Sequence, residues 1–232
     1  MPEPIKILCA ILTTYERQGW VTKELAQFVA DFPLMEAGYA ARFIFCHNFM
    51  PAAAARNVFS KQSKDMETDW LCLIDNDMVP PSNLFDTIKG APEDAGIVVP
   101  VFYCWDNGGA KLTLCWGLDK EPPKDGNGLG HFTPGFHELS KCGTGVIFIR
   151  PWVFNKIAYP YFTYVYNGDA GMAGTEDIQF CLKAREAGVK IYGRADIGVG
   201  HFHSVDLSVM AKLIFDRKEL DKPEEVVAHS AS

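Results

Sequence analysis

Hydrophobic residues form short runs in the first half of the chain, and amphipathic segments separate them. The runs cover residues 5–12, 41–46, 70–74 and 96–103. Apolar runs of this length between polar turns are typical of strands that are buried on both faces. Apolar residues recur at helical spacing over 21–32, and an Ala-rich segment from Pro51 to about residue 64 predicts a second helix. The pattern therefore predicts an α/β domain with a mostly parallel central sheet and helices on both faces.

The second half of the chain continues this alternation after a long irregular stretch. Residues 105–141 are rich in Gly, Pro and Asp, and we expect them to form an acceptor-binding or lid region with a short hairpin near 112–116. The elements predicted after it are a strand over 143–149, a helix over 175–187, and short strands over 189–192 and 197–199.

Composition and charge exclude several classes of protein. The 232 residues are 48% hydrophobic and 22% charged, which predicts one globular domain over 1–217 and a polar tail over 218–232. The net charge of −7 argues against nucleic-acid binding, because neutralising phosphates requires clustered Lys and Arg. The seven cysteines include no Cys-x-x-Cys pair, which favours reduced thiols in a cytoplasmic protein.

Contact with a membrane is not favoured by the sequence pattern. No apolar run approaches the ~20 residues that a bilayer-spanning helix needs, so we expect no transmembrane segment. The amphipathic stretch 205–215 could lie on a membrane surface. Few basic residues flank it, however, so packing against the core or a partner subunit is the favoured interpretation.

Two carboxylates follow the third predicted strand, where Asp75 and Asp77 flank Asn76. If strand geometry continues, both aspartates lie on one face. Burial of a carboxylate is costly without a partner, and open α/β sheets bind ligands at the carboxyl ends of their strands. Hard divalent cations prefer such oxygen ligands and also bind diphosphates. The tripeptide therefore predicts a metal site for a phosphorylated ligand, with a solvated Asp-Asn-Asp turn as the alternative.

Two later pairs of residues are candidates for the same site. His201 and His203 follow the last predicted strand, and His201 is the first choice as a metal ligand because it lies nearer the strand. Glu176 and Asp177 lie in the first turn of a helix that follows a Gly-rich loop. One of them is a candidate general base, and the alternative is that both only stabilise the helix dipole.

Four further residues are candidates for contacts with a nucleotide. Arg56 and Asn57 lie on the helix before the third strand, and a guanidinium group can pair with a diphosphate. An exposed helical arginine is the alternative. Thr13 and Tyr15, at the end of the first strand, could contact a base or ribose, as strand-end residues do in other α/β folds.

The order of these motifs resembles that of a GT-A-fold glycosyltransferase, most similar to the family 2 type. The motifs are Ala55-Arg56-Asn57, the Asp-x-Asp signature of 73–77, a Gly-x-Gly strand over 142–150 and a Glu-Asp helix over 174–188. The resemblance covers about residues 5–203. It implies a metal-dependent, hexosyltransferase-like enzyme with a UDP- or GDP-sugar donor and a glycan or small molecule as acceptor.

The resemblance also implies a role for each candidate residue. Asp77 would coordinate Mn²⁺ or Mg²⁺ that bridges the donor diphosphate, and Asp75 would contact the ribose or the metal. His201 matches the later metal-binding histidine of the family. Asp177 would be the base that deprotonates the acceptor hydroxyl in an inverting reaction, with Glu176 as its substitute.

Two other functions stay open on the sequence alone. Residues 74–79 also resemble the nucleophile loop of haloacid-dehalogenase-type phosphatases, in which Asp75 would attack phosphate covalently and Asp77 would assist. That family normally begins with this loop, whereas two predicted strands precede it here. A non-catalytic protein that binds a sugar or nucleotide is the second alternative, and it would bind metal without transferring a sugar.

Overall fold

The computed structural model describes residues 3–13, 21–35, 38–46, 52–106, 109–112, 115–117, 133–168 and 172–202. The strands are β1 (Ile5–Leu12), β2 (Tyr39–Cys46), β3 (Trp70–Asp75), β4 (Met78–Val79), β5 (Ala95–Asp106), β6 (Gly109–Leu112), β7 (Cys115–Gly117), β8 (Phe136–Cys142), β9 (Val146–Ile149), β10 (Val165–Tyr166), β11 (Met172–Gly174) and β12 (Lys190–His201). The helices are α1 (Lys23–Met35), α2 (Ala52–Asp65), α3 (Val153–Lys156), α4 (Glu176–Glu186) and a 3₁₀ helix, Leu84–Ile88.

The central sheet has the strand order β2-β1-β3-β9-β5-β12-β8-β7. Strands β2, β1 and β3 are parallel neighbours, and β5 and β12 form a second parallel pair. Strand β9 lies between β3 and β5 and is antiparallel to both. The five strands β2, β1, β3, β5 and β12 therefore run in the same direction. The prediction of an α/β domain with a mostly parallel central sheet is confirmed. The carboxyl ends of β3 and β12 therefore lie at the same edge of the sheet.

Helices cover both faces of the sheet, and β1 shows why residues 7–12 are uniformly apolar. Its odd-numbered residues 7, 9 and 11 join a cluster with Phe28 of α1 and Phe85 of the 3₁₀ helix. Its even-numbered residues 8, 10 and 12 join a second cluster with Phe59 of α2 and Phe180 of α4. Because successive side chains of a strand point to opposite faces, a strand covered on both sides has no polar position.

In its described residues, the region predicted to be irregular over 105–141 includes the end of β5, the strands β6 and β7, and most of β8. The predicted hairpin near 112–116 is wrong, because β6 pairs with β5 whereas β7 pairs with β8. Strand β8 pairs with β12, so residues 136–141 belong to the main sheet. Its sequence, Phe-His-Glu-Leu-Ser-Lys-Cys, is mostly polar because most of its residues are only half-buried. Residues 118–132 lie outside the described residues, and the acceptor-binding role of this region stays a prediction.

The two short strands predicted near the end of the sheet are one strand, β12, with a bulge. The register with β5 shifts between Arg194 and Gly198. Asp196 stabilises the bulge, since it accepts hydrogen bonds from the Arg194 guanidinium at 2.7 Å and from the Gly135 amide at 2.9 Å. The polar residues that build the bulge interrupt the apolar pattern, which is why one strand resembles two.

All described residues belong to one compact unit that ends at Phe202. Within the described ranges, every helix is too short or too polar to span a bilayer. The amphipathic stretch 205–215 and the predicted boundary at 217 lie outside the described residues.

Candidate active site

The turn that follows β3 is fixed by backbone hydrogen bonds from other elements. The Asn76 amide donates to the Leu12 carbonyl at the end of β1 (3.1 Å), and the Thr22 amide before α1 donates to the Asn76 carbonyl (3.1 Å). The Phe202 amide, just after β12, donates to the Asp77 carbonyl at 2.7 Å. Asn76 is only 2% exposed. The Asp-Asn-Asp segment is therefore part of the packed sheet edge and not a solvated loop.

Asp77 and His201 are brought together by the pairing of β4 with the end of β12. Gly200 lies opposite Val79, and His201 lies opposite Met78. The His201 Nε2 atom is 3.4 Å from the Asp77 Oδ2 atom, and the two side chains are 24% and 21% exposed. A carboxylate and an imidazole at this separation can share one divalent cation, with other positions left for water or phosphate oxygens.

Close backbone approach makes this pairing depend on a glycine. A Cβ atom on Gly200 would lie 2.9 Å from the Val79 Cβ atom, which is shorter than van der Waals contact. A larger residue would therefore push β12 away from β4. His201, the next residue along the strand, would move away from Asp77.

Asp75 is bound by Arg56. The Arg56 Nη2 atom donates to both carboxylate oxygens, at 2.7 and 2.9 Å. Burial raises the pKa of Asp75 to about 6, and the charges of Asp77 and Glu176 act in the same direction, whereas Arg56 opposes them. No group of three His, Cys, Asp or Glu side chains among the described residues could hold a metal ion. The structure places Asp77 next to His201, whereas Asp75 lies against Arg56. A role for Asp75 as a metal or ribose ligand stays a prediction.

Arg56 is buried, unlike an ordinary helical arginine, and it links two parts of the site. It is 3% exposed, and its Nη1 atom lies 2.5 Å from the Glu176 Oε1 atom. Burial acts to lower the pKa of the Arg56 guanidinium, but the charges of Asp75, Glu176 and Asp177 raise that pKa above its usual value. Both Nη atoms of Arg56 donate to carboxylates, Nη1 to Glu176 and Nη2 to Asp75. The predicted pairing of Arg56 with a diphosphate stays a prediction.

The two neighbouring carboxylates at the start of α4 have different surroundings. Glu176 is buried and accepts hydrogen bonds from Arg56 and from the Tyr164 hydroxyl; burial, together with the nearby Glu176 charge, raises the pKa of Tyr164 to about 12. The Asp177 Oδ1 atom accepts from the Thr175 hydroxyl and from the Ile178 amide at 2.7 Å. Among the described residues, none donates to its Oδ2 atom. Glu176 thus belongs to the buried network, and Asp177 lies at its border.

Asn57 anchors a neighbouring loop. Its Nδ2 atom donates to the Phe162 carbonyl at 2.8 Å, and its Oδ1 atom accepts from the Tyr161 and Phe162 amides at 2.8 and 3.0 Å. These bonds fix the segment that leads to Tyr164. A direct contact between Asn57 and a nucleotide stays a prediction.

The remaining predicted residues lie at other points of the same sheet edge or outside the described chain. The Thr13 hydroxyl donates to the Cys46 carbonyl at the end of β2, and Thr13 is buried. Tyr15 and His203 lie outside the described residues. The nucleotide contacts predicted for Thr13 and Tyr15 stay predictions.

Tyr164 is the site residue that the sequence pattern did not single out. The available signal was the crowding of aromatic residues over 159–166, immediately before the Gly-rich approach to α4. Local periodicity cannot show which of those rings packs and which hydroxyl reaches a carboxylate. That distinction depends on the Asn57 anchor, which comes from a different helix.

Comparisons with known proteins identify the fold but not a family. No protein-family model matches the chain, and no curated protein matches it. The crystal structure of A197 from STIV matches 86% of this chain and 87% of its own, at 20% identity and a TM-score of 0.57. At that identity the likeness concerns the fold alone.

Two glycosyltransferase structures match at lower TM-scores. GalNAc-T7, crystallised with UDP, GalNAc and Mn²⁺, matches 88% of this chain at 11% identity and a TM-score of 0.49, and the match spans 44% of its own chain. A Drosophila β1,4-galactosyltransferase 7 mutant, in complex with manganese, UDP-Gal and xylobiose, matches 86% of this chain and 71% of its own, at 14% identity and a TM-score of 0.45. Both TM-scores lie below 0.5, so the resemblance to GT-A-fold glycosyltransferases stays a prediction. The family 2 assignment stays a prediction.

Proposed function

We propose that this protein transfers a sugar from a nucleoside-diphosphate sugar to an acceptor hydroxyl in a reaction that requires a divalent metal ion. The observation that carries the proposal is the pairing of Asp77 with His201, 3.4 Å apart, at the sheet edge where Arg56 also joins Asp75 to Glu176. A hexosyl group, a UDP- or GDP-linked donor and Mn²⁺ or Mg²⁺ are the finer points of the proposal.

Asp77 and His201 are the residues that would hold the metal ion. One carboxylate and one imidazole suit a cation that is completed by diphosphate oxygens and water. When bound, the ion would offset the negative charge that develops on the departing nucleoside diphosphate, so that the leaving group needs no proton. The backbone bonds at Asn76 and Asp77 keep the turn in place without the ligand.

Asp177 is the proposed base of an inverting reaction. The Glu176 carboxylate accepts from Arg56 and Tyr164 and therefore belongs to the buried network that joins Arg56 to Asp75. Glu176 is buried whereas Asp177 is half-buried, so Glu176 is the less accessible of the two carboxylates to an acceptor. Asp177 presents an Oδ2 atom to which no described residue donates, at the start of the same helix. A base near the attacking hydroxyl is what inversion requires of the protein on the acceptor side.

The phosphatase alternative has no support in the geometry of Asp75. A nucleophilic Asp75 would need a free oxygen for attack on phosphorus. Both of its oxygens accept hydrogen bonds from Arg56, at 2.7 and 2.9 Å.

Nucleotide-dependent thermal stabilisation tests the proposal. The protein is heated with UDP, GDP, CDP or ADP, each with and without Mn²⁺ or Mg²⁺. A ligand at 100 times its Kd stabilises the folded state by about 2.7 kcal/mol, so we expect a clear, metal-dependent rise in Tm for one base. Asp77→Asn and His201→Ala should abolish the metal-dependent part of that rise.

Asp31→Asn is a control for the loss of one carboxylate. Asp31 accepts hydrogen bonds from Gln27 on α1 and is not part of the candidate site. Its nucleotide response should equal that of the wild type. No response to any nucleotide with either metal would reject the proposal. A metal-dependent response without transfer or hydrolysis of any nucleotide sugar would establish the non-catalytic binding alternative.

A further inference from the structure

Two equally exposed tyrosines lie at the two ends of segment 159–166, and one of them neighbours Tyr164, which interacts with Glu176. Tyr159 and Tyr166 are each 66% exposed. The Tyr166 ring centroid is 6.5 Å from that of Tyr164, whose hydroxyl bonds to Glu176. Tyr159 instead packs at 5.5 Å against Tyr161, in a groove that is also lined by lysines of α2.

The segment that carries Tyr166 is anchored along its length. The Lys183 Nζ atom donates to the Pro160 carbonyl at 2.8 Å and to the Thr163 hydroxyl at 3.3 Å. Val165 pairs with Gly174 in the β10–β11 ladder, and Gly174 precedes the first turn of α4. An exposed ring on an anchored strand is preorganised, because little further ordering is needed when a ligand binds.

We infer that Tyr164 and Tyr166 form an acceptor subsite and that the acceptor is a pyranose-containing glycan. This inference rests on the proposed function, because it places the acceptor beside Glu176 and Asp177. A pyranose ring has an apolar C–H face that can cover an aromatic ring, and hydroxyls at its rim that donate to carboxylates. Tyr166 offers an exposed ring, and Asp177 offers a carboxylate in the first turn of the helix that follows the β10–β11 ladder. An apolar wall with a few polar groups is the usual combination in a binding site.

The same arrangement discriminates against acceptors without a ring face. A small linear polyol could donate to the carboxylates, but it would leave the exposed Tyr166 ring in water. Burial of that ring contributes to binding only when a flat apolar surface covers it. Tyr166 is thus assigned to acceptor specificity, and no proton transfer is assigned to it.

Saturation-transfer NMR tests the subsite without any need for transfer activity. The probes are the methyl β-glycosides of glucose, galactose and N-acetylglucosamine at millimolar concentration, and glycerol is the polyol without a ring. We expect the wild type to bind at least one pyranoside and not glycerol. Tyr166→Ala should weaken that binding about tenfold, equal to ~1.4 kcal/mol. Tyr166→Phe should bind within about twofold of the wild type.

Tyr159→Ala is the matched control, since it removes an equally exposed ring from the other end of the segment. It should bind the pyranoside as the wild type does. Equal losses in Tyr159→Ala and Tyr166→Ala, or no pyranoside signal with the wild type, would overturn the inference. Once a transfer assay exists, Tyr166→Ala should raise the acceptor KM about tenfold and leave the donor KM unchanged.

The outcome is separable from that of the nucleotide test. Metal-dependent nucleotide binding without pyranoside binding would overturn the subsite and leave the proposed function standing. Pyranoside binding that depends on Tyr166, with no nucleotide response, would reject the donor site and leave a sugar-binding surface.

Discussion

The proposed donor side and the proposed acceptor side of the candidate site are held by different kinds of interaction. On the donor side, Asp77 is positioned by backbone hydrogen bonds of its turn and by the β4–β12 pairing that brings His201 to it. On the acceptor side, Glu176 is positioned by the side chains of Arg56 and Tyr164. Arg56 is the link between the two sides, because it also binds Asp75.

This difference determines which substitutions should affect each side. Backbone hydrogen bonds survive most side-chain changes, so the donor side should be sensitive mainly to changes that alter strand spacing. A buried network of charged side chains is disrupted when one member is removed, because its partners stay buried without compensation. The acceptor side should therefore be sensitive to single side-chain changes.

The largest effect that we expect is on catalysis at the acceptor side. Asp177→Asn keeps the shape of the side chain and an oxygen for its hydrogen bonds with Thr175 and Ile178, but it cannot accept a proton. Because general-base catalysis contributes about 10²- to 10⁴-fold, kcat should fall by that range while unfolding in urea is unchanged. The measurement is transfer at saturating donor. Undiminished transfer would reject Asp177 as the base.

Removal of Arg56 should have the next largest effect, on stability. Arg56→Met leaves Glu176 buried, and Asp75 about 30% exposed, without their cation. Loss of one partner from a buried ion pair costs roughly 3–5 kcal/mol, and the partial exposure of Asp75 places the expected loss at about 3 kcal/mol. Urea unfolding measures it.

A double variant separates the charge effect from lost packing. Arg56→Met combined with Glu176→Gln leaves no unpaired charge at position 176, so it should be more stable than Arg56→Met alone. The stability of Arg56→Lys should lie between that of the wild type and that of Arg56→Met. Lysine keeps the positive charge, but it lacks the rigid guanidinium fork that binds two carboxylates at once. Wild-type stability in Arg56→Met would contradict the network.

A larger residue in place of Gly200 should destabilise the donor side, and the effect should be smaller than that of removing Arg56. Gly200→Ala places a Cβ atom 2.9 Å from the Val79 Cβ atom, so the strands must separate. Overpacking of this kind costs about 1–3 kcal/mol, and metal-dependent nucleotide stabilisation should weaken with it. Gly198→Ala is the control on the same strand, because a Cβ atom there meets nothing within 4 Å. Equal behaviour of the two variants would show that close approach at Gly200 is unimportant.

The smallest effect should come from the Tyr164 hydroxyl. Tyr164→Phe removes one donor to Glu176 while Arg56 still neutralises that carboxylate. Loss of one half-buried hydrogen bond should lower the free energy of unfolding by about 1 kcal/mol. Tyr166→Phe removes an exposed hydroxyl and should be neutral in the same urea experiment. If Tyr164→Phe lost as much stability as Arg56→Met, the Tyr164 hydroxyl would contribute more to the stability of the network than one hydrogen bond.

Elements buried on both faces were the ones predicted well from sequence. The strands β1 and β3 have the predicted starts, and β3 ends one residue later than expected, at Asp75. The strand β8 was missed because a half-buried strand has polar positions, and β4 was missed because its two residues form a strand only through pairing with β12. A local pattern records how thoroughly a segment is buried, and it does not record which distant segment pairs with it.

The sequence by itself determined the α/β class, the position of Asp75-Asn76-Asp77 at a strand end, and the position of Glu176-Asp177 at a helix start. Those features follow from the periodicity of burial and from the few residue types that suit strand ends and helix starts. Only the tertiary structure decided that Asp77 faces His201 while Asp75 faces Arg56. The reason is physical: strand register and the burial of a guanidinium depend on packing between segments that lie far apart in the chain.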